Sequence, residues 1–247
     1  MGSLGVTTPV SEQPHFLRIE TTRDLLEAMR SKHSLLGANL ENASLSRGLF
    51  DNIQMPKASL VKANLRGVSM RNADLRLAGF QRATLEKANF TGSDLRGCNF
   101  AQAVGDYCVL AQAKLDKSSF HGSRFNGADF RLVTLISASL TEGNFFESNF
   151  EHAILQRANL INSALMNCNF TGADLRQANL SGANLAGCTL DDLQIEGADF
   201  TGAKLAEDQR HRLIVIASGV NETTGRETTY TLKDGLQSKP RKVFGIL

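Results

Sequence analysis

From Leu35 to Leu205 every fifth residue of this chain is large and apolar, with Gly105 the single exception among 35 positions. Twenty of these positions are Leu, eleven are Phe, two are Met (Met55 and Met70) and one is Ile195. Two residues before each runs a second register, His33 to Ala203, in which 19 positions are Ala and 11 more are Gly, Ser or Cys. No insertion or deletion shifts the phase across these 171 residues. A helix repeats its buried face every 3.6 residues and a strand every 2, so a strict period of five excludes both as continuous elements. It also excludes low-complexity disorder, which preserves composition but not phase.

Both registers can face inward only if a short extended piece is followed by a corner, again and again. Within each piece the small and the large residue share a face, because side chains alternate along extended backbone. The corner then falls on the two residues after the large one, and 11 of the 21 Gly stand at the second of these, Gly92, Gly97 and Gly172 among them. Glycine is favoured where the backbone turns with φ > 0. A chain that turns at every pentapeptide closes a ring, and stacked rings pair their backbones at about 4.8 Å. The product is a solenoid in which each coil is buried by its neighbours.

Segments such as Ala173-Asp174-Leu175, Ala178-Asn179-Leu180 and Ala183-Asn184-Leu185 give the register the form A(D/N)LXX. In this the chain resembles the pentapeptide-repeat proteins over about 70% of its length. The resemblance implies an all-β fold, a right-handed quadrilateral parallel β-helix with four pentapeptides per coil. The register would then make nearly nine coils and a rod of roughly 40 Å. Sorting the large positions by a 20-residue coil places nine of the eleven Phe in two opposite columns. One holds Phe50, Phe90, Phe130, Phe150 and Phe170, the other Phe80, Phe100, Phe120 and Phe200. Gly105 leaves a hole in the large register, so a local bulge or widened coil is expected there, with Tyr107 outward.

All four cysteines, Cys98, Cys108, Cys168 and Cys188, stand in the small inward register, and no pair has metal-ligand spacing. They read as small buried hydrophobes rather than as a disulfide framework. Unpaired buried thiols suit a reducing compartment. The five His are scattered, and the chain has no phosphate-cradling Gly-rich loop and no nucleophile elbow. No enzyme activity, no cofactor and no metal are expected. No apolar run approaches the roughly 18 residues of a membrane span, and Met1–Gln13 lacks the layout of a secretory signal. The expected location is cytoplasmic, with no membrane partner.

Outside the repeat, residues 1–15 carry Pro9 and Pro14 without periodicity and are expected to be disordered. Residues 16–33 read as an N-terminal cap: Thr21 and Asp24 have the spacing of a capping box, and Leu25, Leu26 and Met29 share a helical face. The β-helix is expected over 34–205, and a C-terminal cap or arm with a flexible tail over 206–247. In that arm Glu207–Leu213 reads as a turn or two of helix, Ile214-Val215-Ile216-Ala217 as a strand and Thr223–Leu232 as a hairpin. Lys239–Leu247, basic and then apolar, reads as a frayed end, with docking to a partner or another subunit as the alternative.

Partners must be read from the outward residues. Lys+Arg exceeds Asp+Glu by only 27 − 25 = 2. One wall, through 56–60, 76–80 and 96–100, carries Lys57, Arg76, Arg96, Lys117, Arg157 and Arg176, while the wall before it is acidic in excess. Charge also divides along the axis: residues 57–96 hold eight Lys/Arg and three Asp/Glu, whereas 141–200 hold two and eight. Phe146 and Met166 stack one coil apart, with Ile161 at the neighbouring corner, as an outward apolar patch rimmed by Glu142 and Glu147. These nine positions are the expected partner-binding residues. The expected function is a non-enzymatic structural and interaction protein, a rigid scaffold whose outer walls bind a protein partner, with a homodimer through the C-terminal region left open. Some bacterial pentapeptide-repeat proteins are DNA mimics that bind type II topoisomerases such as gyrase and give drug resistance. That alternative needs a broadly acidic rod, and a chain of pI about 8.4 ranks it second. Direct nucleic-acid binding is not expected, since no outward aromatics interleave the basic residues.

Overall fold

Each pentapeptide of the repeat builds the same two-part unit in the computed structural model, which describes residues 18–234. The residue before the large one pairs in parallel with its counterparts 20 residues away, from Asn39↔Ser59 to Asn184↔Lys204 without a break. Four pentapeptides therefore complete a coil, and the coils stack into the right-handed β-helix. Leu40 N–H donates to Ser59 O at 2.7 Å, and Ser59 N–H donates back to Ala38 O at 2.9 Å. At the corner, Ala38 N–H closes onto Leu35 O at 3.1 Å, and Gly37 N–H reaches Pro56 O of the next coil at 2.9 Å. The second corner residue has φ between 54° and 75° at every pentapeptide from Gly37 to Gly202. Positive φ at that single position is the signature of a type II turn. Lysine, arginine and asparagine occupy many of these corners as well as glycine. Their left-handed backbone costs about 1–2 kcal/mol each, offset by a ladder hydrogen bond at the same residue.

This arrangement leaves one main-chain donor per pentapeptide without a backbone partner: the N–H of the first corner residue. The Asn or Asp before the large residue takes it. Asn99 Oδ1 accepts from Ala101 N–H at 2.9 Å, Asn149 Oδ1 from Glu151 N–H at 3.0 Å and Asn179 Oδ1 from Ser181 N–H at 3.0 Å. Every Asn and Asp in that slot from Asn39 to Asp199 does the same. An unpaired main-chain donor is costly, so the A(D/N)LXX consensus has a backbone reason. Where the slot holds another residue, a corner Asp one coil earlier can substitute. Asp51 serves Arg71, Asp106 serves Asn126 and Asp116 serves Ile136, at 3.0, 3.1 and 3.0 Å.

Inside, the two Phe columns form stacks. Phe80, Phe100 and Phe120 lie 4.7 Å apart centroid to centroid, and Phe130, Phe150 and Phe170 lie 4.7 and 4.9 Å apart. Contrary to the sequence expectation, there is no bulge at Gly105. Its N–H donates to Arg124 O at 2.7 Å and Cys108 N–H closes the corner onto Gly105 O at 3.0 Å, as in every other coil. The hole is filled from the next coil by the Phe125 ring. Tyr107 does point outward, 64% exposed. All four cysteines are buried and unpaired, and burial pushes the Cys98 thiol up to about 12.

At the N-terminal end, α1 (Thr22–Arg30) begins with the reciprocal Thr21/Asp24 capping box. Its Leu25 and Ala28 are buried in the core cluster, and Ile19 N–H joins the ladder at Asn39 O. At the other end two expectations need correction. The β-branched run Ile214–Ile216 is not a strand: it is the last turn of α2 (Glu207–Ile216). Helical spacing there brings Gln209, Arg210 and Leu213 onto the end of the last coil, all buried, and that packing overrides β-propensity. Nor is 223–232 a hairpin arm. A single antiparallel bridge, Val220↔Glu227, precedes α3 (Thr228–Asp234), whose Leu232 is fully buried. The Arg210 guanidinium is buried and ties these pieces together, donating to Ala203 O and Leu232 O at 2.9 and 2.8 Å. The segments 1–15 and 239–247 lie outside the described residues.

Candidate functional site

Position within the pentapeptide decides which charges are free. An Arg at the first corner position sits beside the Asp before the large residue, and the pair closes in a two-point fork. Arg76 holds Asp74, Arg96 holds Asp94, Arg131 holds Asp129 and Arg176 holds Asp174, at 2.7, 2.6, 2.8 and 2.7 Å. Hydrogen bonds from Arg76 hold the Asp74 carboxyl below its ordinary range. At Asp94 burial pushes upward, and the Arg96 hydrogen bonds outweigh it. The acidic and basic walls expected from the sequence thus meet along an edge and neutralise each other there.

Cations at the second corner position project past that fork. Among the described residues, Arg47, Lys57, Lys62, Arg82, Lys87 and Lys117 have no carboxylate within ion-pair distance, and all have positive φ. Two of them, Lys57 and Lys117, stand on one edge and flank a groove of about 920 Å³. Its apolar lining is Leu36, Pro56 and Leu77, with Leu36 57% and Leu77 59% exposed. Arg76, Arg96 and Asp116 complete the rim.

The structure therefore brings together Lys57, Arg76, Arg96 and Lys117 of the expected residues. Arg157 and Arg176 lie further along the same edge, in a smaller groove of about 270 Å³ with Gln156, Gln177 and Glu196. Phe146 and Met166 stack on the diagonally opposite edge, with Ile161 at the corner between, and all three are half-buried rather than exposed. Leu36 and Leu77 escaped the sequence reading, although both are large apolar residues at corner positions, where the repeat calls for polar ones. Among the described residues no helix is long and apolar enough to cross a membrane.

The pentapeptide-repeat sequence profile matches this chain eight times, over residues 34–72, 58–97, 83–122, 93–131, 113–151, 133–172, 144–182 and 168–205. Among solved structures, the chain is similar to HetL, a pentapeptide repeat protein involved in heterocyst differentiation regulation from the cyanobacterium Nostoc sp. strain PCC 7120. Identity is 23% and the TM-score 0.51, covering 71% of this chain and 95% of HetL. A pentapeptide repeat protein of the Arabidopsis thaliana thylakoid lumen is 33% identical, with TM-score 0.31, over 57% of this chain and 88% of its own. QnrB1, a plasmid-mediated fluoroquinolone resistance protein, is 19% identical, with TM-score 0.47, over 65% of this chain and 85% of its own. No curated protein matches. Profile matches that run from residue 34 to 205, over a ladder whose every coil repeats the same turn, give one assignment: the chain belongs to the pentapeptide-repeat family.

Proposed function

We propose that this protein is a non-enzymatic interaction scaffold, a rigid four-edged rod that presents rows of side chains to a protein partner. The observation that carries the reading is the groove at Leu36–Lys117, where two large apolar side chains stand more than half exposed beside two lysines free of carboxylates. Exposed apolar anchors within a charged rim are the composition of a binding patch. The rod beneath it is an unbroken parallel ladder, so the rows hold their spacing without a partner. Catalysis is disfavoured because Asp74 and Asp94 are occupied by Arg76 and Arg96, and Asp116 on the rim accepts the Ile136 N–H. Phe146, Met166 and Ile161 form a second, more covered candidate surface.

A DNA mimic needs rows of free carboxylates. Asp51, Asp74, Asp94, Asp129 and Asp174 each hold an arginine, which weighs against that reading. A reducing, cytoplasmic setting suits the four buried thiols.

The test is cross-linking capture from host extract at moderate salt, alongside a gyrase supercoiling assay and a melting screen against a metabolite panel. A specific protein partner, with no effect on supercoiling and no metabolite shift, is the expected result. A metabolite-dependent rise in melting temperature without any captured partner would overturn the scaffold reading.

A further inference from the structure

We propose that the open part of this edge, from Leu36 to Lys117, is a docking line for an extended acidic segment of a partner protein, laid along the rod axis with an apolar side chain two residues from its carboxylates. The proposal rests on the scaffold reading and specifies the partner's chemistry.

The same edge already holds such a segment further along, supplied by this chain. Ser218 O accepts the Gly197 N–H at 2.8 Å, and Val220 O accepts from Gln177 Nε2 at 3.0 Å. Glu222 N–H donates to Gln177 Oε1 at 2.7 Å, and its carboxylate takes Arg157 Nη2 at 2.9 Å. Gly197, Gln177 and Arg157 are the same corner position in three successive coils. Residues 218, 220 and 222 thus run along the axis toward the N-terminal end, one apolar side chain preceding one carboxylate that pairs with a corner cation. The run ends there because Asn221 turns the chain: its Oδ1 accepts the N–H groups of Thr223 and Thr224 at 3.0 and 2.9 Å.

Beyond Arg157 the corner row continues through Ser137, Lys117, Gly97, Leu77 and Lys57 to Gly37. The corner N–H groups of this row are spent on the ladder, so a carboxylate here must be met by side chains. Lys57 and Lys117 are 117 − 57 = 60 residues apart, or three coils, which is roughly 14 Å. Extended backbone covers that distance in about four residues. Leu77 lies between the two lysines and leans over Gly97, where a Cβ would meet its Cδ2 at 2.6 Å. With Leu36 and Pro56 it makes an apolar floor. The fitting occupant has two carboxylates four residues apart and a leucine-like side chain between them. A nucleic acid would find two free cations on this row and no aromatic ring to stack on.

The probe is a fluorescein-labelled peptide, Ser-Ser-Glu-Ser-Leu-Ser-Glu-Ser-Ser, titrated with the full chain at low salt and followed by anisotropy. Saturable binding is expected. It should weaken about tenfold in Lys57→Glu/Lys117→Glu, equivalent to the loss of two modest ion pairs, and several-fold in Leu77→Ser. Binding should be unchanged in Phe146→Ser/Met166→Ser, on the opposite edge. The same peptide with both Glu replaced by Gln should not bind. Equal binding by the charge-reversed protein, by the Gln peptide or by Leu77→Ser overturns the docking line. Displacement of the peptide by oligothymidylate at lower concentration than by unlabelled peptide also overturns it, in favour of nucleic acid. If the probe fails while wild-type protein still captures a partner, the docking line is wrong and the scaffold reading stands. If capture fails too, both fall.

Discussion

Phe125 fills the space that Gly105 leaves in the coil before it: a Cβ on Gly105 would lie 2.3 Å from Phe125 Cε1. The missing large residue and Phe125, one of the two Phe outside the main columns, are thus one packing solution. Gly105→Leu, which restores the consensus, should destabilise the protein by about 1–3 kcal/mol through overpacking, with no strain at the backbone. Adding Phe125→Leu should recover much of the loss. Urea unfolding midpoints of the two variants decide it, and a neutral single substitution would show that the ring moves aside freely.

Asp116 serves the Ile136 N–H because Thr134, in the slot that Asn or Asp usually fills, does not. The Thr134 hydroxyl is itself buried without a partner. Asp116→Ala should therefore cost about 0.5–1.5 kcal/mol. Thr134→Asn in the same chain should restore stability by supplying the acceptor from within the pentapeptide. The account fails if the second substitution rescues nothing.

Asn221 is fully buried, and its Nδ2 donates toward Gln177 O and Gly197 O at 3.1 and 2.8 Å. Asn221→Ala leaves those carbonyls and two loop donors without partners, at a cost of about 1–3 kcal/mol. Hydrogen exchange should quicken in 218–232 while the middle coils keep their protection. Uniform protection in the variant would mean that the loop is held by other contacts.

Side-chain hydrogen bonds from Arg71, then from the Ser69 hydroxyl, hold the Asp51 carboxyl at about 2. The folded value lies below the unfolded one near 3.9, so this stabilisation is complete above about pH 4 and is lost as pH falls toward 2. Wild-type stability should decline across that window, and Asp51→Asn should flatten the decline. Parallel acid titrations of the two proteins would sink the assignment.

Leu25 and Ile19 are buried against the first coil, and Ile19 N–H continues its ladder. Deletion of residues 1–32 should expose an apolar coil end and unpaired strand edges, the usual route to edge association. Light scattering on the truncated chain should rise with concentration. A monomer with unchanged melting temperature would show that α1 is dispensable.

Period and phase are properties of the chain itself, which is why the two inward registers and the buried cysteines were legible in the sequence, while the 20-residue coil, and with it the Phe columns, came from the resemblance to the pentapeptide-repeat proteins. Each depends on neighbours at a fixed sequence offset. The capping box of α1 was legible for the same reason, since Thr21 and Asp24 are three residues apart. The charges were not. Arg76 and Asp74 fall on different walls of the unrolled coil, and only the corner between them brings them to 2.7 Å. Leu36 and Leu77 carry no signal of a common groove at their separate corners, and only the shared edge places both in it. The C-terminal segment carries no period, so Ile214–Ile216 was judged on β-propensity alone, whereas the end of the last coil offered a surface that suits a helix face. Arg157 and Glu222 are 65 residues apart in the chain, and their 2.9 Å contact depends on where the segment after α2 returns. A short-range repeat determines how the coil is wound. Where an aperiodic segment lands on it is decided only by the assembled surface.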